Sequence, residues 1–195
     1  MDPSDLKSWR KSERARLIAA RLAVPAAERK AAAEAIAQRI EDLGIVRSVQ
    51  VLSFYWPMKG ELDFRGWVKT LHARGVKLAL PVVIERGRPM VFRPWAPGAK
   101  MERGIWNIPQ PAARETIVPD VVLAPVVGFD GRSYRLGYGG GYFDRTLASL
   151  TRKPFVVGVG LELQGIATIH PQVYDVRLDR IITEQSVTEP PRTGP

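Results

Sequence analysis

The stretch Asp130–Arg145 carries the residues best suited to chemistry. Arg135 and Arg145 can neutralise anionic oxygens, and Asp144 offers the hard oxygen that Mg²⁺ prefers. Between the two arginines lie four glycines: Gly137, Gly139, Gly140 and Gly141. Glycine lets a backbone approach an anion closely and direct its N–H groups at it. The pattern therefore predicts a phosphate-binding loop.

The segments on either side of this loop strengthen the prediction. Residues 121–127 form an apolar, β-branched run typical of a buried strand. Residues 142–150 have helical apolar spacing, so the loop leads into a helix N-terminus, which favours anions. The alternative is a tight turn that needs glycine only for its conformational freedom. Neither the Walker A pattern nor G-x-G-x-x-G is present, which excludes the two commonest nucleotide-binding loops.

Composition excludes several other kinds of site. The 195 residues include no cysteine and only two histidines, His72 and His170. Disulfides, cysteine nucleophiles and a histidine-rich zinc site are therefore excluded. No apolar run approaches the roughly 20 residues that span a bilayer, and the N-terminus lacks the apolar core of a signal peptide. We expect a cytoplasmic protein with no membrane partner.

The formal net charge of +9 admits three interpretations. It can serve nucleic acid, polyanionic small molecules, or solubility alone. A basic stripe on the first predicted helix raises the same question, because it can be a solvated face or a clamp for an anion. The stripe consists of Lys7, Arg10, Lys11 and Arg14, at positions i, i+3, i+4 and i+7.

Alternating strands and helices predict an α/β fold in a single domain, residues 1–185, with helices at its N-terminus. Helices are predicted over 5–23, 25–43, 62–74 and 142–150. Strands are predicted over 49–55, 76–83, 90–95, 121–127, 155–160 and 180–184, the third of them antiparallel. The segment 95–111 is expected to be irregular, and the proline-rich tail 186–195 is expected to be disordered.

The segment R-L-G-Y-G-G-G-Y-F-D-R, residues 135–145, resembles the signature loop of the 5-formyltetrahydrofolate cyclo-ligase family, R-L-G-x-G-x-G-Y-[YF]-D-R. The resemblance extends from about residue 6 to residue 184. It includes G-I-W-N-I-P-Q-P at 104–111, P-V-V-G-F-D at 125–130 and H-P-Q-V-Y-D-V-R-L-D at 170–179. It implies a three-layer α/β/α fold of the NagB/RpiA-like kind.

The resemblance also implies a reaction. The family converts 5-formyltetrahydrofolate and ATP into 5,10-methenyltetrahydrofolate, ADP and phosphate, with Mg²⁺. Phosphorylation of the formyl oxygen makes it a leaving group, and N10 then closes the ring. Phosphoryl transfer asks a protein mainly for positioning and charge neutralisation, so no covalent nucleophile is expected.

The resemblance assigns roles to particular residues. Arg135 and Tyr142 are the expected catalytic residues, and Asp144 with Asp179 is expected to hold Mg²⁺. The ATP site is expected to comprise Lys7, Arg10, Lys11, Arg135, Gly137, Gly139, Gly140, Gly141, Tyr142 and Asp144. Of the basic stripe, Arg10 fits the family pattern, whereas Lys7 stands one place away from the family lysine.

The folate substrate, with or without a polyglutamate tail, is expected to contact Glu61, Trp106, Tyr138 and Tyr142. Without the resemblance, Glu61 is interpreted as a glutamate in the first turn of a helix. Trp106 can equally well stack on a substrate ring or anchor its own loop to the body of the protein. The family commonly has other residues where this chain has Trp106, Gln110, Phe143 and Tyr174. These departures leave open a non-catalytic folate or nucleotide regulator, and the charge leaves open a nucleic-acid-binding module. For a ligase, a monomer without nucleic acid is expected.

Overall fold

The computed structural model describes residues 2–190 and contains a seven-stranded sheet. Its strands are β1 Val51–Ser53, β2 Lys77–Val82, β3 Val91–Trp95, β6 Val121–Pro125, β9 Phe155–Val159, β10 Arg180–Ile182 and β11 Val187–Thr188. The strand order is β11-β10-β9-β6-β1-β2-β3. The five inner strands are parallel, and the two edge strands β3 and β11 run antiparallel to their neighbours.

Two short hairpins and four helices complete the fold. The hairpin strands are β4 Met101–Arg103 with β5 Pro109–Pro111, and β7 Gly128–Phe129 with β8 Arg135–Leu136. The helices are α1 Pro3–Ala23, α2 Ala26–Asp42, α3 Arg65–Ala73 and α4 Tyr142–Ser149. Short 3-10 turns span Ile105–Asn107 and Glu162–Gln164. Among residues 2–190 no helix combines the length and apolarity that a membrane span requires.

Side chains alternate between the two faces of the sheet, as the two-residue period of a strand requires. In β6, Val121 and Leu123 join the cluster that packs under α2 and α3, while Val122 and Ala124 join the cluster under α4. The central strands are buried on both faces, which is why they are continuously apolar. The mixed α/β prediction is confirmed.

Helix α1 packs against the end of the sheet that carries the glycine loop. Asp2 caps its N-terminus by accepting the backbone N–H of Ser4 at 2.8 Å. Leu17, about four turns into the helix, is fully buried against Val127, Leu136 and Ile169. This contact brings the basic face of α1 to the loop between β8 and α4.

The structure corrects two expectations of irregularity. Residues 95–111 contain the hairpin β4–β5, whose prolines are tolerated because each strand is short and lies at an edge. The predicted disordered tail contributes strand β11, which pairs with β10. A turn in which Ser186 and Thr183 hydrogen-bond each other holds that pair together. Residues 191–195 of the tail lie outside the described residues.

Candidate functional site

The glycine loop, residues 137–141, connects β8 to α4 at the end of the sheet where α1 packs. Gly139 has φ 95° and Gly141 has φ 65°, backbone conformations that side-chain-bearing residues rarely adopt. Gly141 is the N-cap of α4, and no side chain caps this helix. The first N–H groups of α4 therefore remain available, as at other helix N-termini that bind anions.

Two arginines hold the carbonyl side of the loop. Arg14 Nε donates to Gly137 O at 2.7 Å, and Arg145 Nη2 donates to Gly140 O at 2.6 Å. Within residues 2–190, none of the five loop N–H groups donates a hydrogen bond to another protein atom. The arginines engage two carbonyl groups of the loop, whereas its N–H groups are available to donate hydrogen bonds to an anion.

Arg135 and Asp144 form a shielded ion pair behind the loop. Arg135 Nη2 lies 3.2 Å from Asp144 Oδ2, and the arginine side chain is 4% exposed. The guanidinium also stacks over the ring of Phe143, 5.0 Å from its centroid. Burial lowers the pKa of Arg135, and Asp144 opposes that shift. Its Nε has no hydrogen-bond partner among the described residues, so the cation retains an unused donor.

The basic stripe of α1 divides into structural and exposed residues. Arg10 is buried and donates to Ile169 O, to His170 O and to Asp175, whose Oδ2 lies 2.5 Å away. Arg10 therefore holds the segment that precedes β10, while Lys7 and Lys11 are exposed. It is Arg14 that contacts the loop. Arg14 belongs to the basic stripe that the sequence shows, but it was not among the predicted ATP contacts.

Two of the predicted substrate residues meet in one hydrogen-bonded pair. Tyr138 Oη donates to Glu61 Oε1 at 2.8 Å, and Glu61 Oε2 accepts the N–H of Met58 at 2.9 Å. Helix α3 begins only at Arg65, so Glu61 is a loop residue and not a first-turn glutamate. Burial raises the pKa of both groups.

The other two predicted substrate residues also lie together. The rings of Trp106 and Tyr142 meet edge to face, with centroids 5.2 Å apart. Trp106 has φ 58° and remains half exposed. Tyr142 Oη accepts the N–H of Gly87 at 3.1 Å, which leaves its own proton free to donate. An exposed aromatic side chain on a strained backbone, next to a tyrosine hydroxyl, is typical of a ligand-facing surface.

The two aspartates predicted to hold Mg²⁺ are placed differently. Asp144 lies in the first turn of α4, where Oδ1 accepts the N–H of Val176 at 3.2 Å. Asp179 lies at the start of β10, and its Oδ2 accepts the N–H of Val156 at 2.7 Å. Within residues 2–190, no cluster of three or more histidines, aspartates or glutamates is arranged to hold a metal ion. Only Asp144 lies beside the loop.

The raised pKa of Glu61 predicts how stability depends on pH. The folded protein keeps this proton at a pH where the unfolded chain, with the ordinary value of 4.5, has lost it. Stability from this group is thus present at low pH and decreases as pH rises from 4.5 towards the raised folded pKa. The groups facing Glu61 are the cations Arg21 and Lys59 and the hydroxyls of Tyr55 and Tyr138.

We expect the free energy of unfolding of wild type to fall, relative to that of Glu61→Gln, as pH rises from mildly acidic to neutral. Denaturant titrations of both proteins at several pH values measure this difference. Hydrogen bonds lost in the variant shift its stability equally at every pH, so only the slope matters. Parallel pH profiles would contradict the prediction.

Comparison with known proteins identifies one family. The family model described as "5-formyltetrahydrofolate cyclo-ligase family" matches residues 6–184. A curated cyclo-ligase of Haemophilus influenzae is 26% identical over 158 residues, covering 77% of this chain and 84% of the relative. A curated cyclo-ligase of Mycolicibacterium smegmatis is 29% identical over 178 residues, which cover 87% of this chain and 91% of the relative.

Two solved structures share the fold. The 5,10-methenyltetrahydrofolate synthetase of Mycoplasma pneumoniae superimposes with a TM-score of 0.70 at 25% identity, covering 90% of this chain and 98% of that one. The synthetase of Aquifex aeolicus superimposes with a TM-score of 0.80 at 24% identity, covering 92% of each chain, and supports the fold alone. The family match over most of the chain and the glycine loop in its expected place lead to one conclusion: this chain belongs to the 5-formyltetrahydrofolate cyclo-ligase family.

Proposed function

We propose that this protein catalyses the ATP-dependent cyclisation of 5-formyltetrahydrofolate to 5,10-methenyltetrahydrofolate, with release of ADP and phosphate. The observation that carries the proposal is the glycine loop. Among residues 2–190 no protein atom accepts from its N–H groups and no side chain caps the helix that begins at its end, and a buried arginine lies behind it. This donor set suits the phosphates of a nucleotide.

Arg135 and Tyr142, on either side of the glycines, are assigned roles in this reaction. The guanidinium of Arg135 neutralises negative charge on the transferring phosphoryl group. Its burial and its ion pair with Asp144 keep the guanidinium in one orientation. Tyr142 donates its free proton to the formyl or phosphate oxygen. The protein needs no nucleophile of its own, because N10 of the folate attacks once the formyl oxygen carries phosphate.

The folate is assigned to the two residue pairs beside the loop. Glu61 accepts hydrogen bonds from the donor groups of the pterin, and Tyr138 fixes the orientation of that carboxylate. The exposed ring of Trp106 offers a flat apolar face to an aromatic part of the substrate. The pair Glu61–Tyr138 supplies polar contacts to the folate, and the pair Trp106–Tyr142 supplies apolar contacts.

Asp144 fits Mg²⁺, which is commonly held by one or two carboxylates together with substrate phosphates and water. Bound there, the ion would neutralise charge on the ATP phosphates. Asp144 lies in the first turn of the helix that follows the loop, so its carboxylate is beside the proposed phosphate site. Asp179 stays a prediction, with one of its oxygens used by the backbone of β9. Lys7, Arg10 and Lys11 likewise stay predicted ATP contacts.

The finer structural expectations are also proposals. A three-layer fold of the NagB/RpiA-like kind is supported by α2 and α3 on one face of the sheet and α4 on the other. A monomer that acts in the cytoplasm on folates with or without polyglutamate tails is proposed from the resemblance to the family.

The test is an assay of purified protein with 5-formyltetrahydrofolate, ATP and Mg²⁺, following the near-ultraviolet absorbance of the methenyl product. We expect product only when both ATP and Mg²⁺ are present. Asp144→Asn should lower turnover about a hundredfold or more, because a carboxylate beside the transferring phosphate is lost.

Asp42→Asn is the matched control, because Asp42 lies exposed on α2 and, in the described part of the chain, its carboxylate accepts a hydrogen bond only from Gln38. It should turn over like wild type. Wild-type protein that binds folate without forming product would indicate a regulator instead. Tight binding to nucleic acid that collapses with salt, in the absence of turnover, would favour the nucleic-acid-binding alternative.

A further inference from the structure

We infer that Arg21 is a positioning residue for the folate site, which holds Tyr138 and Glu61 in their binding geometry from the protein interior. The inference rests on the proposed function, since it concerns the same substrate. Arg21 lies in the last turn of α1, away from the glycine loop in sequence, and is 1% exposed. Neither the signature motif nor the basic stripe of α1 includes it.

The contacts of Arg21 join three separate segments. Its Nε donates to Lys59 O at 3.1 Å, in the loop after β1, and Nη1 donates to Val126 O at 3.3 Å, just beyond β6. Nη2 donates to Tyr138 Oη at 2.7 Å, in the glycine loop. One rigid guanidinium thus sets the relative position of the loop that carries Glu61 and the loop that carries Tyr138.

The hydrogen bond to Tyr138 has only one possible direction. A guanidinium can donate but cannot accept, so the Tyr138 oxygen must be the acceptor from Arg21. The single proton of that hydroxyl is then free for Glu61, which accepts it at 2.8 Å. Arg21 therefore determines the direction of the chain Arg21 to Tyr138 to Glu61. The chain ends on a carboxylate held in one orientation.

Charge gives Arg21 a second effect. It makes no ion pair with a carboxylate among residues 2–190, which is unusual for a cation this deeply buried. Tyr138 connects it by hydrogen bonds to the carboxylate of Glu61. The positive charge of Arg21 opposes the effect of burial on the pKa of Glu61 and so favours the ionised form. An ionised Glu61 can accept hydrogen bonds from the donor groups of the substrate.

The test compares Arg21→Met, Arg21→Lys and Tyr138→Phe with wild type, measuring KM and kcat for 5-formyltetrahydrofolate from mildly acidic to mildly alkaline pH. We expect Arg21→Met to raise KM about tenfold or more, the usual effect of losing a hydrogen bond to a charged group, and to change kcat less. The acid limb of the pH profile of kcat/KM should move to higher pH. Arg21→Lys, which keeps the charge, should restore part of that shift.

Arg39→Met is the matched control, because Arg39 on α2 is partly buried and, like Arg21, donates to a backbone carbonyl, Glu184 O. It should leave both KM and the acid limb unchanged. If Arg21 acts through Tyr138, the double variant Arg21→Met/Tyr138→Phe should lose less than the sum of the two single losses. Additive losses, or an unmoved acid limb in Arg21→Met, overturn the inference.

Two outcomes separate this inference from the proposed function. If Arg21→Met does not fold, Tyr138→Phe decides, because an acid limb unchanged in that variant shows that the chain to Glu61 has no effect. If wild type forms no product, the proposed function fails, and equilibrium binding of 5-formyltetrahydrofolate replaces KM in the same comparison. Equal affinity in wild type and Arg21→Met then overturns the inference by itself.

Discussion

Gly140→Ala is expected to lower turnover about a hundredfold, the effect of misplacing a catalytic group by about 1 Å. A Cβ at position 140 would lie 2.7 Å from the Tyr142 ring, which is closer than atoms can approach. The ring cannot move freely, because Gly87 N–H holds its hydroxyl and Trp106 packs against its edge. The proposed proton donor or the loop itself must therefore shift.

Gly131→Ala is the matched control for this prediction. Gly131 lies in the turn between β7 and β8, and a Cβ there would meet no atom within 4 Å. This variant should keep the kcat of wild type and unfold at the same temperature to within a few degrees. Wild-type turnover in Gly140→Ala would show that the orientation of Tyr142 does not matter for the reaction.

Arg135→Lys is expected to lower kcat by about 10² to 10³, the usual effect of losing one preorganised donor to a transition-state anion. Lysine keeps the charge but loses the planar fork and the stacking on Phe143. Steady-state kinetics with ATP and 5-formyltetrahydrofolate measures the effect. Retained kcat would remove Arg135 from the proposed catalytic residues.

Lysine is a better test here than alanine. From sequence alone, Arg135→Ala would be expected to damage catalysis far more than stability. The structure amends this, because truncation leaves Asp144 shielded without its cation, at a general cost of about 3 to 5 kcal/mol. Arg93→Lys is the matched control, since Arg93 is also a buried arginine, with a carboxylate oxygen of Glu102 3.4 Å away. Arg93→Lys should lower the free energy of unfolding as Arg135→Lys does, but it should leave kcat unchanged.

Local sequence determined the strand–loop–helix unit and most of the central sheet. Strands buried on both faces must be continuously apolar, and such runs stand out in the sequence at 121–127 and 155–160. Four closely spaced glycines before an amphipathic segment specify a loop that leads into a helix. The boundaries differed by one to three residues in most elements, because chain ends are decided by local capping and packing. The short strands β4, β5 and β11 were not predicted, because two or three residues rich in proline or polar side chains show no strand pattern of their own.

Only the tertiary structure decided which basic residues of α1 reach the site. The sequence places Lys7, Arg10, Lys11 and Arg14 on one stripe but does not say what that stripe contacts. The face that packs inward carries Arg10, Arg14, Leu17 and Arg21, spaced at i, i+4, i+7 and i+11. Helical periodicity shows which residues share a face, whereas the partner of each depends on how the helix docks.

The same reasoning explains the pairing of Glu61 with Tyr138. These residues are 77 positions apart, and each lies in a loop whose local sequence gives no sign of the other. They meet because the parallel strands β1 and β6 place their carboxyl ends at the same end of the sheet. The loop after β1 carries Glu61, and the β7–β8 hairpin that follows β6 leads into the glycine loop with Tyr138. Sequence determined the types of residue at the site, and docking of α1 across this end of the sheet decided their contacts.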